Sequence, residues 1–160
     1  MDESSAKAGG RRRAVKPLPR ALPASLMRAR EAVMARIRPT LRAYDVTEPQ
    51  WRVLRTLGAL EEIEVTQLAE QVFLLPSSLS RILRDLSERG LIQRRTAEND
   101  LRRGLVSVSD AGMALIEAAT PSATAVNAEI EAAFGTERMH ALLDMLVELE
   151  ASLGPGSPSD

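Results

Sequence analysis

Residues 75–90 read LPSSLSRILRDLSERG. Leu79, Ile82, Leu83 and Leu86 fall at i, i+3, i+4 and i+7, the spacing that gives a helix one buried face. The opposite face is left with Ser77, Ser78, Ser80, Arg81 and Arg84. Short hydroxyls approach phosphates and base edges, and arginine spans guanine O6 and N7, so this face offers recognition of DNA rather than bond making. Taken alone, the stretch equally describes an ordinary amphipathic surface helix. A second group of residues offers anion chemistry. Arg30 lies four after Leu26 and three before Val33, on the apolar face of a helix, and Arg55 shares a face with Trp51 at i+4. A guanidinium withdrawn from water needs an anion. That anion is either a neighbour such as Glu31, Glu48 or an acidic residue across a dimer, or else a bound ligand; Trp51 is correspondingly either core or a platform for a ring.

Other chemistries lack their residues. The chain has no cysteine, which removes disulfides, thiolate metal sites and cysteine redox switches. A single histidine, His140, argues against a transition-metal site and is expected at the surface or an interface. No nucleophile-plus-base arrangement and no phosphate-cradling glycine loop is present, so an enzyme is not expected, and neither is a cofactor. No apolar run approaches the roughly 18 residues of a membrane span, so no membrane association is expected and the expected location is the cytoplasm.

The net charge of −1 argues at first against a polyanionic partner, but its distribution argues for one. Residues 1–20 carry six basic and two acidic side chains, and residues 81–103 carry seven and four. Residues 104–160 carry one basic and nine acidic. Basic charge gathered in one segment can meet a phosphate backbone while the acidic end stays away from it.

The elements that must position these residues follow from periodicity and punctuation. Aromatics make up only 2% of the 160 residues while leucine and alanine abound, which favours packed helices. Leu26, Val33, Ile37, Leu41 and Tyr44 mark a first helix over about 22–43, with Pro39 a place for a kink. Thr47 and Gln50 form a capping box for a second helix that ends near Gly58. Residues 63–65 are a short extended piece, and Thr66 is expected to cap a compact third helix with Leu68, Ala69 and Val72 inward. The fourth helix is the opening stretch, with Pro76 in its first turn and Gly90 just past its end. Phe73 and Leu74 are expected to fill the core behind it. Strand-like runs at about 91–96 and 104–108 read as a β-hairpin. Ser109 caps a long helix with a bend expected at Pro121, Gly135 breaks it, and Thr136 starts a last helix with Met139, Leu142, Leu143, Leu146, Leu149 and Leu153 along one side.

Helix, short turn, helix and hairpin is the order of a winged helix-turn-helix, whose second helix lies in the DNA major groove. The fold expected is mainly α with a small β-hairpin wing. Its parts are a disordered basic arm (1–20), an N-terminal dimerisation helix (21–46), the DNA-binding domain (47–109), C-terminal dimerisation helices (110–153) and a disordered tail (154–160). A last helix with that apolar side has nothing left to cover within so small a domain, which points to a homodimer.

The run LAEQVFLLPSSLSRILRDLSERGLIQRRTAENDLRRGLVSVSDAGMALI resembles the winged-helix core of the MarR family of bacterial transcription regulators. Its most specific piece is NDLRRGLVSVSDAG, where the family's Asp-x-Arg wing element, strand and capped helix are matched by Asp100, Arg102, Ser109 and Gly112. Residues outside this core, including TEPQWRVLR, resemble the branch that regulates homoprotocatechuate (4-hydroxyphenylacetate) degradation. The turn FLLPSS departs from the family in lacking glycine, so base preference does not carry over. The resemblance implies a homodimer on palindromic double-stranded DNA, with major-groove contacts roughly 34 Å apart. It implies further that Arg102, with Arg103 beside it, meets the minor groove while Asp100 braces the wing. It implies a small aromatic acid effector whose carboxylate Arg30 and Arg55 take, whose ring packs on Trp51 and whose phenolic hydroxyl Glu48 accepts. The chain would then be a repressor of an aromatic-compound catabolic operon. The competing readings are a winged-helix protein-interaction module without DNA binding, and a regulator answering an unrelated small organic ligand.

Overall fold

The computed structural model describes residues 21–97 and 100–154, with the side chains at 97 and 100–102 outside the description. The basic arm at 1–20 and nearly all of the tail lie outside it too. Among the described residues six helices and three strands follow in the order α1 (Leu22–Ala43), α2 (Glu48–Gly58), β1 (Ile63–Glu64), α3 (Val65–Gln71), α4 (Pro76–Glu88), β2 (Ile92–Ala97), β3 (Asp100–Val108), α5 (Asp110–Phe134) and α6 (Thr136–Leu153). The fold is mainly helical with a small antiparallel sheet.

The core forms where the leucine stripes meet. Leu79, Leu83 and Leu86 of α4 are fully buried against Val53, Leu54 and Leu57 of α2, Leu68 and Val72 at α3, and Val106 of β3. At about 25 cal/mol per Å² of apolar surface, each such leucine contributes roughly 1.5–3 kcal/mol, and together they fix the angle of α4. No polar or charged side chain is buried among the described residues.

Local caps set the boundaries. Gln50 N donates to Thr47 Oγ1 at 3.4 Å while Thr47 N donates to Gln50 Oε1 at 2.8 Å, closing the capping box of α2. The Gln50 amide nitrogen also donates to Asp85 Oδ2 at 2.6 Å, which ties α2 to α4. Gly112 N donates to Ser109 Oγ at 3.1 Å, and that hydroxyl donates to the Gly90 carbonyl at 2.6 Å, locking the start of α5 to the end of α4. A Cβ at Gly112 would collide with the Leu91 carbonyl oxygen and come within 2.8 Å of Val108 Cγ2, so this close approach of backbones requires glycine.

Four sequence expectations are corrected. The wing is not a two-stranded hairpin alone, because β1 adds a third strand in the order β1-β3-β2, with Ile63 opposite Val106 and Glu64 opposite Leu105. In consequence α3 begins at Val65 with Glu64 as its N-cap residue, and Thr66 falls inside the helix instead of capping it. Phe73 does not fill the core: it is 71% exposed with φ +50°, and Leu74 alone packs against the core from this turn. Strand β3 starts at Asp100, earlier than the hairpin pattern indicated, after a register shift between Thr96 and Ala97. The helices α1 and α5 run through Pro39 and Pro121 as single helices.

The long helix α5 packs on α1, α2 and α6, and the Tyr44 hydroxyl donates to the Ala118 carbonyl at 2.7 Å. Helix α6 has no buried residue, and Leu143, Met145, Val147 and Leu153 stand exposed. Leu22, Leu26, Met27 and Val33 of α1 are exposed likewise.

Candidate DNA interface and effector pocket

With its leucines inward, α4 turns Ser77, Ser78, Ser80, Arg81 and Arg84 to solvent. Leu75 occupies the N-cap position and makes no side-chain cap, so the first-turn N–H groups around Ser77 and Ser78 stay available to an anion, as helix N-termini favour. Among the described residues neither Arg81 nor Arg84 forms an ion pair, whereas Arg89 just past the helix lies 3.6 Å from Asp85 and 3.9 Å from Asp45. The exposed face therefore offers hydroxyls and two unpaired guanidinium groups at helical spacing.

Only part of the wing is described. Asp100 and Arg102 lie in β3 by their backbone, and their side chains fall outside the described residues. Arg103 forms an ion pair with Glu64 of β1, which the third strand brings alongside. Arg94 is exposed, and Arg95 makes a two-pronged contact with Glu62 at 2.7 and 2.6 Å.

The second group gathers where α1 crosses α2. Arg30 pairs with Glu48, and Arg38 takes Glu31 through a second hydrogen bond of 2.7 Å while lying 3.8 Å from Glu48. The Arg38 guanidinium holds the Glu31 carboxyl below its usual range, and Glu31 in return raises Arg38. Arg55 lies over the Trp51 indole with its guanidinium carbon 5.8 Å from the ring centroid, and the indole packs partly into the core. So the structure joins Arg30 with Glu48 and Trp51 with Arg55. A cavity of about 750 Å³ between α1, α5 and α6 is lined by Arg30 together with Leu26, Val33, Ile130, Met139 and Leu142, but not by Glu48, Trp51 or Arg55. His140 is exposed on α6.

A sequence model of the MarR family matches residues 46–103, the span from the start of α2 to the wing. Over 124 residues the chain is 36% identical to the HTH-type transcriptional regulator FarR of Neisseria gonorrhoeae, covering 78% of this chain and 85% of that one. This chain belongs to the MarR family. It is also 34% identical over 127 residues to the homoprotocatechuate degradative operon repressor of Escherichia coli, covering 79% and 86%. The solved structure of NadR in complex with 4-hydroxyphenylacetate superposes with a TM-score of 0.72 at 32% identity, over 84% of this chain and 96% of that one. The MarR-family chain is thus a transcriptional regulator, not an enzyme, and its likeness extends to the homoprotocatechuate branch.

Two residues of this regulator escaped the sequence reading. Arg38 binds the carboxylates that were expected to serve Arg30, and Arg52, one helical turn after Glu48, is partly buried. Burial foremost, then the charge of Arg30, lowers the Arg52 pKa, and its Nε is buried without a hydrogen-bond partner. The available signal was spacing, since Arg52 follows Glu48 by four and so shares its face.

Proposed function

We propose that this chain is a homodimeric repressor of an aromatic-compound catabolic operon. It holds a palindromic operator through α4 and the wing, and releases it when a phenolic carboxylate binds between the long helices and the DNA-binding lobe. The observation that carries this reading is the meeting of Arg30 and Glu48 across α1 and α2 beside the Trp51–Arg55 stack. Guanidinium groups, an aromatic face and a carboxylate near the meeting of α1 and α2 support an effector site there. The NadR complex and the name of the Escherichia coli relative support the same effector class.

In this reading Arg30 and Arg55 receive the carboxylate, Trp51 receives the ring, and Glu48 accepts the phenolic hydroxyl through lone pairs that its ion pair leaves free. Serines 77, 78 and 80 with Arg81 and Arg84 meet the major groove, and Arg102 and Arg103 meet the minor groove beside it. The exposed apolar sides of α1 and α6 support a second copy as their cover. Release follows from linkage: a ligand weakens DNA binding only by favouring a spacing of the two lobes that misfits successive major grooves. A regulator of this kind works where the DNA is, in the cytoplasm.

The test is fluorescence anisotropy with labelled DNA from upstream of the protein's own coding sequence, titrated with 4-hydroxyphenylacetate. Salt-sensitive binding followed by release is expected. DNA that stays bound while calorimetry shows the acid bound would overturn the switch. Absence of any DNA binding would favour the protein-interaction reading.

A further inference from the structure

Helix α3 ends in a closure that ordinarily asks for glycine. Phe73 N donates to the Glu70 carbonyl at 3.2 Å and Leu74 N to the Ala69 carbonyl at 3.1 Å, with Val72 in the C-cap position. These two bonds make a Schellman motif, in which the residue just past the C-cap turns left-handed and is most often glycine. Phe73 holds that place at φ +50°. Two residues on, Leu75 stands at the N-cap of α4, where serine, threonine, asparagine or aspartate would satisfy a first-turn N–H, and it makes no side-chain cap. The residue between them behaves differently: Leu74 packs against the core, whereas Phe73 is 71% exposed and Leu75 53%. The turn thus carries two apolar side chains outward, each where local backbone chemistry favours another residue type, and the domain itself covers neither.

Both side chains stand at the start of α4, followed directly by the exposed Pro76, Ser77 and Ser78. In a helix-turn-helix this is the end of the recognition helix whose side chains reach base edges. Thymine presents a methyl group in the major groove, which hydrogen-bonding side chains do not read and apolar ones do. We propose that Phe73 and Leu75 pack on thymine methyl groups of the operator and so determine part of its sequence. This rests on α4 being the recognition helix and adds an apolar reader to its hydroxyls and arginines. The surroundings favour DNA over a protein partner, because Ser77, Ser78, Ser80, Arg81 and Arg84 follow on the same exposed helix and the apolar pair does not widen into a larger patch there.

The experiment takes DNA from upstream of the coding sequence, maps the protected site by footprinting, and replaces each thymine there in turn by deoxyuridine, which lacks only the methyl group. Binding of the full chain should weaken roughly fourfold for each contacted methyl removed, the worth of one buried carbon. Phe73→Gly and Leu75→Ser each supply a residue the local backbone favours, so the double variant should fold at least as stably by chemical denaturation. It should nonetheless bind thymine and deoxyuridine duplexes equally, and Phe73→Leu alone should keep part of the discrimination. The slope of log affinity against log salt should not change, since an apolar contact releases no counterions. A wild type indifferent to every deoxyuridine, or discrimination that survives the double variant, overturns the inference and leaves α4 in the groove. A slope that falls in the double variant means that the turn only positions phosphate-binding groups, which also overturns it. If the wild type does not bind the duplex at all, α4 is no recognition helix and the inference falls with it.

Discussion

The guanidinium of Arg30 on α1 grips the carboxylate of Glu48 on α2. This pair spans the boundary between the long helices and the DNA-binding lobe, with Glu48 mostly shielded at 17% exposure and Arg30 open at 54%. With one partner open to solvent, such a pair is screened and worth on the order of 1 kcal/mol. Arg30→Ala should therefore change thermal stability little, yet leave the protein bound to operator and deaf to 4-hydroxyphenylacetate. Melting curves and anisotropy on the same samples check both halves. If the variant releases DNA as wild type does, Arg30 is a strap and not a ligand contact.

Arg81→Ala and Arg84→Ala should weaken operator binding without unfolding the domain, since both lie opposite the leucine stripe. A base contact should cost about 1–3 kcal/mol and relax preference at one position, while a phosphate contact should lower affinity for every sequence. Arg102→Ala should flatten the dependence of log affinity on log salt by about one unit, and Asp100→Ala should weaken binding by loosening the wing. Unchanged affinity in both α4 variants would remove that helix from the interface.

The ion pair of Arg103 with Glu64 predicts the opposite sign for a neighbouring change. Glu64→Gln removes the carboxylate that occupies Arg103 and raises the positive charge at the wing. Operator affinity should rise and the salt slope steepen by up to about one unit. A salt titration identical to wild type would show that Arg103 never reaches phosphate.

Phe73 holds φ +50° while its side chain is largely exposed, so it bears a left-handed backbone with little burial in return. Left-handed conformations cost about 1–2 kcal/mol for residues with a Cβ. Phe73→Gly should raise stability, by roughly 0.5–1 kcal/mol once the greater freedom of glycine in the unfolded chain is subtracted. Chemical denaturation decides it, and a lower midpoint would mean that the ring has a stabilising contact after all.

Leu143 on α6 is 51% exposed and lines the cavity against α1. A charge there cannot be desolvated without great cost. Leu143→Glu should leave helix content intact by circular dichroism, shift sedimentation to the monomer and weaken binding to the palindrome. A variant that stays dimeric would place the interface elsewhere.

Much of the fold was written locally. The leucine spacing of α4, the Thr47–Gln50 box, the Ser109 cap and the Gly135 break each depend on residues within one or two turns of one another, so the sequence by itself located these elements to within a residue or so. The exposed serines and arginines of α4 were legible for the same reason, because the face opposite a buried stripe is decided by helical period alone. Tertiary structure decided what pairs with what. Glu64 became the N-cap residue of α3 because its strand pairs with β3, and that same pairing delivered it to Arg103, 39 residues away. Arg30 met Glu48 because α1 crosses α2, which the spacing within either helix does not reveal. Hydrophobic period says which face is buried but not which charged side chains the burial brings together, since an ion pair forms only after distant elements have docked.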